Sequence, residues 1–260
     1  MMHNMDQHMG SEHFIHDKTL QKQRTEEKRK KILEFLSEEI FTTTDILSNY
    51  MELDRTVIYR TLKTLEKKGF VKLHQIIFEV AQTGKQTLWG ITPMGATFIS
   101  EEVDPPYFEP SKVAITTIAH SMMIQKVRVK ATKNGYINWK SSRALKRLAA
   151  DNRGKWLQIP DAIAEKDGEI YAIEVERTVK TARRYRSIMA NFIQMFWAGR
   201  NDDSKKTVDR VLYLCPPPFD KRLEKIFYSF ETVSIGGKEH ALNDNAKARF
   251  KFYNVLEWEG

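Results

Sequence analysis

Between Leu157 and Arg177 the chain reads LQIPDAIAEKDGEIYAIEVER, and strand geometry can bring three of its carboxylates together. Asp167-Gly168, set between two alternating runs, predicts a two-residue hairpin turn. With those two residues as the loop, Lys166 faces Glu169 and the residue numbers of every cross-strand pair sum to 335. Asp161 then lies opposite Glu174. Glu176, two residues on, shares their face because side chains alternate along a strand. Ile159, Ala162, Ile163, Ala164, Ala172, Ile173 and Val175 make the surroundings apolar. Carboxylates clustered in such a place repel one another unless a cation or a proton compensates. An all-oxygen donor set suits a hard ion, Mg2+ or Mn2+. The competing reading is an exposed hairpin whose acids pair with Arg177, Arg183 and Arg184.

The segment that follows, KTARRYR, carries Lys180, Arg183, Arg184 and Arg186 at the start of a helix expected over 181–199. Cations at that end oppose the helix dipole, which favours contact with backbone phosphates over a purely structural role. A strand follows at Arg210–Cys215. Upstream, 111–132 reads as a long helix, 136–139 as a short strand and 144–150 as a helical piece.

These elements sit in the more basic part of the chain. Of 42 Lys+Arg and 34 Asp+Glu, residues 1–104 hold 14 and 16, net −2, and residues 105–260 hold 28 and 18, net +10. That asymmetry implies a polyanion held mainly by the later part. The proline-rich stretch DPPYFEP, 104–110, marks a boundary near residue 107. The expected organisation is a flexible tail over 1–23, one domain over 24–104 and a second over 108–260. His13 and His16 in that tail read as solvated residues. No apolar run of about 18 residues occurs, which excludes a membrane-spanning helix. The first twenty residues lack the cationic start and apolar core of a secretory signal, so a cytoplasmic protein is expected. Cys215 stands alone, excluding an intrachain disulfide and a Cys-based zinc site.

In the first part, Thr25–Leu36 shows a helical apolar stripe and Thr44-Asp45 opens a second helix. Asp54 caps a third, DRTVIYRTLKTLEKKG, whose inward stripe is Ile58, Leu62 and Leu65 and whose stop is Gly69. Two β-rich stretches, FVKLHQIIFEV and QTLWGIT, flank a turn at 81–85, and PMGATFISEE reads as a further helix. On this order and on the run TTDILSNYMELDRTVIYRTLKTLEKKGFV, residues 25–103 resemble the winged helix-turn-helix family. The resemblance implies that Arg55, Thr56, Tyr59, Arg60 and Lys63, on the outward face of the third helix, contact DNA in the major groove.

IPD followed across a hairpin by IEVE is similar to the PD-(D/E)XK signature of restriction-endonuclease-like folds. The resemblance implies an α/β (α+β) mixed-sheet domain in which Asp161 and Glu174 ligate the metal and the Val175 carbonyl is a third donor. Glu176 occupies the usual lysine position. That departure leaves water activation without an assigned lysine, and Lys180, one turn later, can supply a charge. The two domains together resemble the MobC-type plasmid relaxases, which are related to the replication-relaxation proteins. In these relatives a His-containing helix precedes the acidic hairpin, and IAHSMMIQKVRV, with His120, looks like it. The implied function is metal-dependent nicking of one strand at a plasmid transfer origin, with relaxosome accessory or coupling proteins as partners. The alternatives are a non-catalytic relaxosome accessory, a replication initiator or a transcriptional regulator. The chain has no His-x-His pair, as a histidine-bound metal with a tyrosine nucleophile would require. Tyr171 and Tyr185 lie near the acids, but Tyr171 points to the opposite face from Glu174, so metal-activated water fits better.

Overall fold

A computed structural model describes residues 18–77, 85–102, 105–151, 156–202 and 207–260, which combine helices with three sheets. The first helix, α1 (Lys18–Glu39), begins inside the segment expected to be a tail. Its first turns are exposed and carry polar ties such as Gln23 to Glu27 at 2.9 Å, so no apolar periodicity announces them. Residues 1–17, with His13 and His16, lie outside the described residues.

Strand β1 (Phe41–Thr42) leads to α2 (Thr44–Met51), and Asp54 caps α3 (Arg55–Lys67) by accepting from the Thr56 amide at 2.7 Å. Gly69, at φ +78, makes the turn out of α3, a conformation that costs glycine nothing. Strands β2 (Val71–Ile77) and β3 (Lys85–Ile91) form a sheet in the order β1-β3-β2; of the turn expected at 81–85, residues 81–84 lie outside the described residues and Lys85 already belongs to β3. Helix α4 (Pro93–Ile99) follows. Ile58, Leu62 and Leu65 are buried as their spacing predicts, packed with Ile32, Phe35 and Leu36 of α1. The prolines of 105–110 hold the backbone outside helix and strand up to a 3-10 turn at Pro110–Lys112. Within that stretch Phe108 is a core residue: its ring packs at a tilt against Phe41, 4.7 Å between centroids, and lies against Gly90, where an added Cβ would meet it at 2.4 Å.

The second sheet has the order β10-β7-β6-β5-β4, made of β4 (Ile137–Ser141), β5 (Ala162–Lys166), β6 (Glu169–Val175), β7 (Arg210–Cys215) and β10 (Phe250–Asn254). β4, β5 and β6 pair antiparallel, whereas β6, β7 and β10 run parallel. Helix α5 (Ile115–Lys133) covers one face, with Ile124, Val127 and Ala131 against Ala162, Ala164, Ile173 and Leu212. On the other lie α6 (Ser142–Asp151), α7 (Ala182–Asn201) and α8 (Phe219–Tyr228), with Leu145, Met189, Phe192 and Phe227 in one core with Ala172, Val211 and Tyr213. A sheet covered on both faces explains why β7 is apolar nearly throughout.

Helix α5 also places Ile118, Met122 and Val129 in the first core. Its Gln125 side chain donates to the Phe41 carbonyl at 2.7 Å, so the two cores share one helix rather than parting cleanly near residue 107. Apolar residues all around α5 follow from that double burial.

Candidate active site

The turn at Asp167 (φ 52) and Gly168 (φ 78) has both residues in the left-handed region, as a type I′ hairpin requires. The register runs from Lys166 opposite Glu169 to Ala162 opposite Ile173, each pair summing to 335. Asp161 is the next residue out. Its Oδ2 accepts from the Val175 amide at 2.9 Å, and its own carbonyl accepts from the Ser142 amide at 2.8 Å, which fixes the carboxylate at the sheet end. Glu174 and Glu176 are buried on the α7 face, as alternation demands.

The acids have specific partners. His120 of α5, from the opposite side in sequence, sets Nε2 3.2 Å from Asp161 Oδ1. Gln158 donates to Glu174 at 3.4 Å, and Lys180 pairs with Glu176. Arg177 instead donates to the Thr116 carbonyl at 3.0 Å, and Arg183 and Arg184 are exposed at the start of α7. The alternative in which those three arginines neutralise the cluster is therefore not the arrangement found. Burial, then Asp161, then Glu176 push the Glu174 carboxyl well above the usual carboxylate range, against the opposing effects of Lys180 and Gln158. Burial also raises Glu176, although Lys180 pulls it down.

A carboxyl whose pKa is raised on folding adds stability below its unfolded value and loses it as pH climbs through the folded one. For Glu174 the loss begins near the ordinary glutamate value of 4.5 and is complete above the raised value. Glu174→Gln should therefore raise the melting temperature at pH 7 in chelator and flatten the decline of stability with pH. A variant that melts at or below wild type across that range contradicts this electrostatic account.

Both tyrosines near the cluster are occupied. Tyr185 is fully buried, accepts from the Lys180 amide at 3.1 Å and is pushed up to about 12, mainly by burial. Tyr171 lies on the other face, where its hydroxyl donates to Glu169 at 2.9 Å, as the alternation argument expects. Reasoning from sequence missed Gln158 and Tyr213. Tyr213 stands beside Glu174 in the parallel β6–β7 pairing, with its buried hydroxyl lacking a hydrogen-bond partner among the described residues. Alternation along β7 from the buried face would have found it; no local pattern marks Gln158.

Two buried carboxyls, Glu174 and Glu176, beside the half-buried Asp161 have the electrostatic need a divalent cation meets. Among the described residues, however, no three His, Cys, Asp or Glu side chains are arranged to hold an ion between them. Mg2+ commonly takes only one or two carboxylates, with waters and substrate phosphate completing its shell, so the Asp161–Glu174 pair suits that mode.

Of the proposed phosphate contacts, Arg186 is committed elsewhere. It donates to the Thr232 carbonyl at 2.8 Å and pairs with Glu239 at 2.9 Å, across to the hairpin of β8 (Thr232–Ile235) and β9 (Lys238–Ala241). Lys180 is held by Glu176, which leaves Arg183 and Arg184 facing solvent. On α3, Arg55 pairs with Asp45 at 2.6 Å and Lys63 with Glu66 at 2.6 Å. Thr56 serves the cap, Arg60 is exposed, and Tyr59 stands half-exposed, edge-on to Trp89 at 6.0 Å. These side chains line one face of α3, apart from the carboxylates. Among the described residues no helix is long and apolar enough to cross a membrane.

Comparison with known proteins yields no match among curated proteins or solved structures. The family model described as replication-relaxation matches residues 33–211, a span that runs from α1 through the hairpin into β7. Since that match covers more than half of the 260 residues, the chain belongs to the replication-relaxation family.

Proposed function

We propose that the protein is a plasmid mobilisation relaxase that binds a transfer origin and nicks one strand by metal-dependent phosphodiester cleavage. The family points to a role in plasmid replication or mobilisation. The observation that carries the finer reading is the group of half-buried Asp161 and buried Glu174 and Glu176, with His120 and Lys180 against it. In this reading the sheet and its helices form a restriction-endonuclease-like domain. Residues 24–104, from α1 through α4, form a winged helix-turn-helix, with α3 reading the major groove.

Asp161, Glu174 and the Val175 carbonyl would hold Mg2+ or Mn2+. When bound, such an ion polarises a phosphoryl oxygen and lowers the pKa of water. The protein's own groups do the rest. The Val175 amide and His120 orient the Asp161 carboxylate, and Gln158 orients Glu174. Glu176, fixed by Lys180, is set to accept a proton from an attacking water. Burial of Tyr185 and the Tyr171–Glu169 bond favour water over tyrosine as the nucleophile. Arg183 and Arg184 supply exposed charge for the strand being cut.

The test is to incubate the full chain with supercoiled DNA carrying its plasmid's origin, with Mg2+, with Mn2+ or with chelator. Metal-dependent open circles are the expected product. The second reading, a non-catalytic relaxosome accessory, draws support from the partners the acids already have, Lys180 on Glu176 and His120 on Asp161. Origin binding with no open circles in either metal would favour it.

The α3 reading also ranks two arginines. Arg60 is exposed on its face, whereas Arg55 must first leave Asp45. Arg60→Ala should weaken origin binding by about 1–3 kcal/mol, the range for a bidentate base contact, and Arg55→Ala should weaken it less. Gel-shift titration against origin and scrambled duplexes checks this, and equal loss on both sequences would reduce Arg60 to a phosphate contact.

A further inference from the structure

At the far end of α7 from the carboxylates lies a cavity of about 230 Å3 between that helix, β8–β9 and the turn before α9 (Asp244–Lys247). Its lining includes Trp197, Arg200, His240, Asn245 and Arg249, and no carboxylate. Trp197 is exposed and meets His240 edge-to-face at 5.1 Å. The Arg249 guanidinium is laid over Phe196 at 4.8 Å, while its backbone carbonyl accepts from the Val211 amide at 2.9 Å, so its position is set by two contacts. Neither Arg200 nor Arg249 forms an ion pair among the described residues.

Arginines with no ion pair among the described residues, beside an exposed indole and an imidazole, form a chemistry for one nucleotide: rings to stack a base and cations for its phosphate. A base inside a duplex cannot enter a cavity without leaving its stack, which costs a few kcal/mol, whereas an unpaired base enters freely. We infer that this cavity binds an unpaired nucleotide of single-stranded DNA, its base against Trp197 and His240 and its phosphate on Arg200 and Arg249. The inference rests on reading the chain as a DNA-binding protein. Ala182 and Arg200 are separated by about 27 Å along α7 at 1.5 Å per residue, so the cavity is remote from the acids. It would hold a displaced strand several nucleotides away from the point of cleavage.

The test uses the full chain in chelator, so that binding is read without cutting. Fluorescence anisotropy of labelled oligothymidine and of a labelled duplex is measured for wild type, Trp197→Ala, Trp197→Phe and Arg200→Ala/Arg249→Ala. Trp197→Ala should bind oligothymidine about 5- to 150-fold more weakly, the range for one lost base stack. Its affinity for duplex should stay within about twofold. Trp197→Phe should retain most of the single-strand affinity, since a ring remains. The double arginine variant should lower the slope of log affinity against log salt by about 0.7, the single-strand value for the one phosphate the two arginines share. Unchanged oligothymidine binding in Trp197→Ala, or equal losses on single strand and duplex, would overturn the inference. So would tight binding of free thymidine monophosphate that excess oligothymidine fails to displace, which would make the cavity a mononucleotide site. Absence of nicking by the wild-type protein would sink the enzyme and leave this measurement standing.

Discussion

Glu174→Gln and Asp161→Asn should each reduce metal-dependent nicking of origin plasmid by at least about 100-fold, with duplex origin binding within about twofold of wild type. Both substitutions keep side-chain volume and remove the charge. Polarisation of a phosphoryl oxygen is worth several kcal/mol, and each 1.36 kcal/mol is tenfold in rate, so the loss of a ligand should cost two or more decades. The partners of the acids are His120, Gln158, Val175 and Lys180, none of them on α3, which is why binding should survive. The two variants are expected to differ in stability. Glu174 is buried among like charges, so its neutral replacement relieves repulsion. Asp161 is tied to the Val175 amide and to His120, so its replacement disturbs two contacts. Nicking within a few-fold of wild type by either folded variant would sink the nuclease assignment. A Glu174→Gln protein that is inactive, well folded and more stable would match a site in which stability is given up for chemistry.

What the sequence made legible was local. Asp167-Gly168 fixed the hairpin, the hairpin fixed the register, and the register brought Asp161 beside Glu174 and Glu176 without long-range information. Asp54, Gly69, Ile58, Leu62 and Leu65 gave α3 in the same way, through a cap, a stop and a stripe. What stayed hidden depends on partners far along the chain. Strand β10 joins β7 with Phe250 opposite Val211, a pairing that no nearby turn specifies. Arg186 looked like one of a row of phosphate contacts until Thr232 and Glu239 arrived from a hairpin some fifty residues away. His120 entered through family resemblance alone, because a histidine on a largely apolar helix carries no signal of the aspartate it will meet. The domain boundary drawn from prolines missed that Phe108 and α5 finish the first core.

Helix α5 carries the last and largest stability effect. Arg128, buried at 6% exposure, pairs with Glu39 at 2.8 Å and Glu38 at 2.5 Å, joining the helix shared by both cores to the end of α1. Its guanidinium also packs over Phe35 at 4.8 Å and Tyr50 at 5.6 Å. Glu39 is itself buried, and that burial raises its carboxyl while Arg128 lowers it. Removing the arginine leaves a buried, unpaired carboxylate, a change that typically costs about 3–5 kcal/mol. Arg128→Met should therefore lower the melting temperature at pH 7 by roughly 6–20 °C at the usual 2–4 °C per kcal/mol. The sign with pH follows from Glu39. Without its partner its folded pKa rises further, so the variant should lose stability as pH climbs above the ordinary glutamate value of 4.5 and recover it on acidification. Glu39→Gln placed on Arg128→Met should restore much of the loss at neutral pH, because a neutral amide replaces the stranded charge. Thermal melts of the single and double variants between pH 4 and pH 8 decide the matter. A single variant as stable as wild type at pH 7, or a double variant no better than the single, would mean that the ion pair does not hold α5 to α1.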